Sequence, residues 1–206
     1  VLYNGQYTNE ISIPFTFTAP PNGDYLLYVP ESYQPGNGVF VVIHGSSYNP
    51  LQNLQITKPV AERNGVILVI PYFMERYVDH YHNLFEYHPV TGVRTDIRLL
   101  QILDEVTAAT GESTNKIYMT GQSSGGQYTH RFLMAHPERV KRAVISSPGY
   151  WTFPETAWAQ PFGINSGSTP SDIVYDFSLI NQVEKKVTVG SLDMGDDFSK
   201  YYYQQK

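Results

Sequence analysis

Short apolar runs alternate with segments of helical spacing through most of the chain. Residues 39–43 and 66–70 are continuous apolar runs rich in valine and isoleucine, which is typical of strands buried on both faces of a sheet. Between them, Thr57 and Pro59 are interpreted as the start of a short helix that ends at Asn64-Gly65. The pattern predicts one strand-helix-strand unit.

The second half of the sequence repeats this order. Apolar residues recur at helical spacing before Gly111, and residues 127–135 predict another helix, stopped by Pro137. Strands are expected at residues 116–120, 142–147 and 186–189. Strands that alternate with helices favour an α/β domain whose central sheet is mostly parallel and flanked by helices. We expect one domain over residues 1–206.

The amino-terminal segment has a different pattern. Apolar residues alternate around Ile13 to Phe17 and again around Tyr25 to Val29, and a Pro-Pro-Asn-Gly turn at residues 20–23 separates the two stretches. Alternation of this kind predicts a β-hairpin that precedes the parallel part of the sheet.

Composition narrows the function classes. The net charge of -5 and the absence of a Lys/Arg cluster argue against a nucleic-acid partner. No apolar run approaches the ~18 residues of a membrane-spanning helix, so no membrane partner is expected. The sequence has no cysteine, which excludes a disulfide framework, a thiolate zinc site and a cysteine nucleophile. The 17 tyrosines and few lysines suit a secreted protein without fixing the compartment.

Gly121-Gln122-Ser123-Ser124-Gly125 matches the pattern G-x-S-x-G, in which small flanking residues let a strained serine project above a sheet. Three fixed positions match by chance in about one chain of this length in fifteen. The context between an apolar strand and a helical stretch favours a nucleophile, since a helix N-terminus favours a developing oxyanion. The alternative is that these residues form a Gly/Ser-rich turn between a strand and a helix and have no catalytic role. Ser124 is the poorer nucleophile because Gln122 stands where its own motif requires glycine.

Three stretches together resemble α/β-hydrolases of the polyhydroxybutyrate-depolymerase and feruloyl-esterase kind. They are the strand followed by His44-Gly45, the Ser123 turn, and Ala-His-Pro-Glu-Arg-Val at residues 135–140. The resemblance extends from about Asp24 to Asp197 and implies an oxyanion hole formed by N–H groups of Ser124 and Ser46. It also implies that Asp193 is the acid of the catalytic triad. Asp196 and Asp197 are close enough in sequence to take this role instead, and a surface loop of acidic residues without a catalytic role is the other alternative.

The triad histidine departs from the family pattern, because no histidine follows Asp193. His130 and His136 would lie roughly 10 and 20 Å along a helix from Ser123, and His44 is expected to brace the oxyanion loop. The remaining histidines are His80, His82 and His88, which lie in the sequence near Glu75, Asp79 and Glu86. Two alternatives are open for them: one of them acts as the base, or His80 and His82 point the same way from a strand and bind a metal ion. Ordinary loop residues are the favoured interpretation. We expect that the last strand and the histidine loop are absent from this chain, and that no metal or cofactor is required.

Two aromatic stretches are expected at the carboxyl ends of strands, where ligands bind in open α/β sheets. Tyr72, Tyr150 and Trp151 are the predicted substrate-binding residues, with packing of a lid as the alternative. The leading hypothesis is a serine esterase that acts on a small or polymeric ester. The second is a catalytically silent protein of the same fold that binds a ligand or partner through these aromatic residues. The oligomeric state is not predicted.

Overall fold

A mostly parallel sheet forms the centre of the protein. The computed structural model describes residues 25–47, 49–73, 80–88 and 91–191, and within these residues the sheet has six strands. They are β1 (Tyr25–Tyr28), β2 (Val39–Ile43), β3 (Ile67–Pro71), β4 (Ile117–Gln122), β5 (Val140–Ser146) and β6 (Glu184–Thr188). The order is β1-β3-β2-β4-β5-β6, and β1 alone of these strands is antiparallel to its neighbour. The predicted α/β class is confirmed.

Helices cover both faces of the sheet. They are α1 (Pro50–Asn64), α2 (Thr95–Thr110), α3 (Ser124–Ala135) and α4 (Phe177–Gln182), with 3₁₀ turns at Tyr81–Asn83 and Pro137–Arg139. Val41 and Val69 belong to the core cluster that includes residues of α2 and α3, whereas Val42 and Leu68 pack in a second cluster with residues of α1. Alternate residues of each central strand therefore face opposite helical layers, which explains why these strands are apolar throughout.

The start of α1 differs from the sequence prediction. The helix begins at Pro50, where the Asn49 side chain accepts a hydrogen bond from Gln52 N at 3.0 Å, and Pro59 lies inside it. Proline at the first helical position after an asparagine cap is the stronger start signal, and Pro59 is tolerated on the exposed side of the helix. The predicted end at Asn64-Gly65 is confirmed, because Gly65 caps the helix with a positive φ of 62°.

The other elements follow the sequence pattern closely. The helix predicted before Gly111 is α2, and the strands predicted at 116–120, 142–147 and 186–189 correspond to β4, β5 and β6 with shifts of one to two residues. The second half of the predicted hairpin is β1, which pairs with β3; its first half lies outside the described residues. None of the helices in the described part of the chain has the length and apolar character needed to cross a membrane.

Candidate active site

Ser123 occupies the sharp turn between β4 and α3. Its backbone has φ 55° and ψ -122°, a conformation that residues other than glycine rarely adopt. Two backbone hydrogen bonds hold the turn: Ser123 N donates to Ser146 O, and Gln127 N donates to Ser123 O, both at 3.0 Å. The residue is exposed. The fold therefore presents a strained serine at the carboxyl edge of the parallel strands.

The glycines of the motif are required by close packing. A Cβ added at Gly121 would lie 2.2 Å from the carbonyl oxygen of Gly125, and one added at Gly125 would lie 2.3 Å from the carbonyl oxygen of Ile43. Both distances are far shorter than a van der Waals contact. The motif glycines thus let helix α3 approach the ends of β4 and β2, which is what brings the turn into its strained shape.

The end of β2 lies directly beside the nucleophile candidate. An ideal Cβ on Gly45 would be 3.8 Å from Ser123 Cβ and 3.3 Å from Gln122 O. Ser46 is the next residue and is exposed in a turn, while Ser124 is the first residue of α3. The first N–H groups of a helix have no acceptor within the helix. The structure therefore brings both predicted oxyanion residues to the neighbourhood of Ser123, and their role as donors stays a prediction.

His44 is a buried histidine whose two ring nitrogens both form hydrogen bonds with the backbone. Phe73 N donates to His44 Nε2 at 3.0 Å, which assigns the ring proton to Nδ1, and Nδ1 donates to Gly45 O at 2.8 Å. Burial lowers the pKa of His44 to about 4 against the opposing effect of these two hydrogen bonds. With both nitrogens engaged with the backbone, His44 joins the end of β2 to the residues after β3, as expected from the sequence.

The two helical histidines are also engaged elsewhere. His130 is buried and its Nε2 accepts a hydrogen bond from Thr152 N at 2.9 Å. Burial, with a smaller contribution from the positive charge of Arg131, lowers the pKa of His130 to about 3. His136 Nε2 lies 3.0 Å from Asp96 Oδ2. Neither ring is bonded to Ser123.

His80 and His82 do not lie on a strand, the arrangement that metal ligation would have needed; they belong to the segment after β3, in agreement with the favoured interpretation as loop residues. His82 lies within the 3₁₀ turn Tyr81–Asn83 and His80 precedes it with a φ of 53°; their rings meet edge to face at 5.6 Å. His82 Nε2 shares a hydrogen bond of 3.0 Å with the Tyr150 hydroxyl, and His88 Nδ1 accepts one from Thr91 N. Among the described residues, no group of three or more His, Asp and Glu could hold a metal ion. Glu75 and Asp79 lie outside the described residues.

The predicted triad acid follows the last described strand of the sheet in the sequence. Asp193, together with its competitors Asp196 and Asp197, lies outside the described residues. The strand that precedes it, β6, ends at Thr188, which pairs with Ser146 at the end of β5. Ser146 is also the acceptor of the Ser123 N–H. The assignment of Asp193 stays a prediction.

The predicted substrate residues lie in two loops at this edge. We call the described residues 72–73 and 80–88 together the first aromatic loop, and residues 147–163 the second. Tyr72 follows β3, with its ring 5.8 Å from that of His44. Tyr150 and Trp151 follow β5 and are half-buried, and the Trp151 ring lies 4.8 Å from that of His130. Their contact with substrate stays a prediction.

Sequence reasoning missed Arg131 and its partners. Gln127, His130 and Arg131 are buried polar residues at positions i, i+3 and i+4 of α3, so they share one face of the helix. All three lie against the second aromatic loop. An added Cβ on Gly149 would lie 2.8 Å from Gln127 Nε2. Thr152 accepts a hydrogen bond from Arg131 Nε at its hydroxyl and donates one from its N–H to His130 Nε2. The spacing of these three polar residues was the available signal.

A buried carboxylate fixes the start of α2 against the end of α3. Asp96 is fully buried and accepts hydrogen bonds from Arg94 Nε and Nη2 at 3.0 and 2.9 Å, with His136 Nε2 on its Oδ2. Arg94 also binds Asp172, whose side chain is 57% exposed. Burial acts to raise the pKa of Asp96, but the hydrogen bonds from His136 and Arg94 outweigh it and hold that pKa below its ordinary value.

We expect Asp96→Asn to lower the free energy of unfolding by about 2 kcal/mol at pH 7, since a buried charged hydrogen-bond partner is lost. Because the pKa of Asp96 is lower in the folded state, its stabilisation is present above the unfolded-state pKa and is lost as the pH falls through the folded-state value. The deficit of the variant should therefore shrink below about pH 4. Urea unfolding at several pH values measures it.

The matched control is Asp172→Asn, which removes the exposed carboxylate from the same arginine. A largely exposed ion pair contributes about 1 kcal/mol or less, so this change should have the smaller effect. An Asp96→Asn deficit that is no larger than that of the control, or that is independent of pH, would contradict the role of the buried carboxylate.

Comparison with solved structures reveals clear likenesses in fold. A poly(3-hydroxybutyrate) depolymerase from Bordetella parapertussis matches 82% of this chain with a TM-score of 0.65 and 22% identity. A poly(aspartic acid) hydrolase from Sphingomonas sp. KT-1 matches 81% with the same score and identity. A fluorophosphonate-binding serine hydrolase of Staphylococcus aureus, solved with bound substrate, matches 89% at a TM-score of 0.58 and 16% identity.

These likenesses show that the chain shares the fold of the three proteins. It spans 61% of the length of the depolymerase, 66% of the poly(aspartic acid) hydrolase and 81% of the staphylococcal hydrolase. No protein-family model matches the chain, and neither does any curated protein sequence.

Proposed function

We propose, from the α/β-hydrolase fold of this chain, that it is a serine hydrolase that cleaves carboxylic esters with Ser123 as the nucleophile. The observation that supports this most directly is the strained, exposed backbone of Ser123 at the start of α3, beside Gly45, where an added Cβ would lie 3.8 Å from Ser123 Cβ. A strained conformation persists only where the surroundings enforce it, and such positions cluster at active sites. The names of two neighbours, a polyester depolymerase and a serine hydrolase, agree with this chemistry.

The proposed reaction has two stages. Ser123 Oγ attacks the ester carbonyl carbon, and the N–H groups of Ser124 and Ser46 stabilise the negative oxygen of the tetrahedral intermediate. The ester C–O bond then breaks, the alcohol leaves with the proton that Ser123 gave up, and an acyl-serine remains. Water attacks this acyl group and releases the acid, which restores the serine. No cofactor takes part in these steps.

The proton carrier in this proposal is a histidine that Asp193 orients. The bonds described above engage His44, His82, His130 and His136 with groups other than Ser123. We therefore propose none of these four histidines as the base.

The test uses the protein expressed from its complete reading frame. Treatment with a fluorophosphonate probe, followed by peptide mass mapping, should place a single adduct on Ser123, since the probe reacts only with an activated serine. An adduct on another serine would overturn the assignment. No adduct on any serine would overturn the proposed activity and would favour the second hypothesis, a silent protein of this fold that binds through its aromatic loops.

A further inference from the structure

One buried arginine joins the two aromatic loops. Arg131 is 2% exposed, and its Nε donates to Thr152 Oγ1 at 2.9 Å. Its two terminal nitrogens donate to the backbone oxygens of Pro161 in the second loop and His82 in the first. The guanidinium carbon lies 5.1 Å from the centre of the Tyr150 ring. A single side chain of helix α3 thus contacts both loops at once.

Other contacts make the same connection. His82 Nε2 and the Tyr150 hydroxyl share a hydrogen bond of 3.0 Å between the loops. Thr152 is bound twice by α3, because its N–H donates to His130 Nε2 while its hydroxyl accepts from Arg131. The two aromatic loops are therefore fixed to each other and to the helix that begins immediately after Ser123.

Both loops are also attached to the strand ends beside the nucleophile candidate. The second loop begins after Ser146, whose carbonyl oxygen accepts the Ser123 N–H. In the first loop, the Tyr81 hydroxyl donates to the carbonyl oxygen of His44 at the end of β2. A shift of either loop would therefore change the surroundings of an ester bound at Ser123.

We propose that Arg131 is a positioning residue that sets how tightly a bulky ester binds, by holding the Tyr150 side of the site in place. The inference rests on the proposed esterase function. Arginine suits this role because its planar group directs five donors along fixed directions. Lysine keeps the charge but offers a single ammonium on a flexible stem, so it cannot serve Thr152, Pro161 and His82 together.

The decisive variant is Arg131→Lys. We expect KM for p-nitrophenyl octanoate, which is large on both sides of the ester bond, to rise by about tenfold, the effect of one displaced pocket contact. The kcat for the same ester and kcat/KM for ethyl acetate should stay within about threefold of wild type. Fluorophosphonate labelling of Ser123 should also persist, because the small probe does not need the loop wall.

Two further variants keep the test decisive. Thr152→Val removes one acceptor of Arg131 and leaves the Thr152 N–H in place, so KM for the octanoate should rise by about threefold; it decides the question if Arg131→Lys does not fold. Arg139→Lys is the control, because Arg139 donates to Thr114 O at the opposite end of β5 from Ser123, and it should leave KM unchanged.

The outcomes separate the inference from the proposed function. Labelling of wild type, with a selective rise of KM for the octanoate in the Arg131 and Thr152 variants, supports the inference. Equal losses on both esters, or an unchanged KM in a folded Arg131→Lys protein that still labels, overturn the inference and leave the esterase proposal intact. A wild-type protein that does not label at Ser123 overturns both.

Discussion

Ser123→Ala is expected to lower kcat for ester hydrolysis by roughly 10⁴- to 10⁶-fold while KM changes by less than about threefold. The hydroxyl is the group that forms the bond to the substrate, whereas the N–H groups proposed to hold the oxyanion belong to other residues and are unaffected. The residual rate should come from those donors and from binding alone. Steady-state kinetics with p-nitrophenyl butyrate measure both parameters on the protein from the complete reading frame.

Ser124→Ala is the matched control for this experiment. It removes the neighbouring hydroxyl but keeps the backbone N–H at the start of α3, so kcat should stay within about fivefold of wild type. A large loss in Ser124→Ala together with an active Ser123→Ala would reverse the assignment of the nucleophile.

Ser123→Gly separates the strain from the chemistry. Glycine adopts a positive φ without steric cost, so this variant should be as inactive as Ser123→Ala but about 1 kcal/mol more stable than it. Thermal unfolding of the two inactive variants compares them directly. Equal stability would mean that the φ of 55° at Ser123 stores no strain.

The architecture could be predicted from the sequence because its elements are determined locally. Residues 39–43 are apolar without interruption, and a strand with both faces buried requires that composition. The Ser123 turn could be found for the same reason, since strand, small residues and helix follow one another within a few positions. The start of α1 was missed because two proline signals compete, and the asparagine cap before Pro50 decides between them.

The contacts that hold the two aromatic loops beside Ser123 could not be predicted from local sequence patterns. Arg131 contacts Thr152 and His82, which are 21 and 49 positions away in the chain. No local periodicity encodes such contacts, because they exist only after α3 and both loops have packed on the same sheet edge. The strand alternative for His80 and His82 fails for a related reason: their two-residue spacing suits a strand, but a 3₁₀ turn packs the buried Tyr81 ring against those of Phe73 and Tyr128.

Gly125→Ala is expected to lower the free energy of unfolding by about 3 kcal/mol and ester turnover by at least about 100-fold. In an open helix, alanine is more favourable than glycine by about 1 kcal/mol. Here the new Cβ would lie 2.3 Å from Ile43 O and 2.6 Å from His44 O, so either α3 or the end of β2 must move. These two elements are the ones proposed to supply the oxyanion donors, and a displacement near 1 Å is enough to impair them.

Gly149→Ala is the matched control, because it adds the same methyl group at a position where the neighbouring atom is free to move. An added Cβ there would meet only Gln127 Nε2 at 2.8 Å, the end of a side chain that can turn aside, so the cost in stability should stay below about 1 kcal/mol. Thermal and urea unfolding of both variants measure the difference. If Gly125→Ala were as stable as wild type, or stabilised by the propensity of alanine, the contact between α3 and β2 would be looser than described. The glycine would then be explained by local turn geometry instead of by the approach that joins Ser123 to the end of β2.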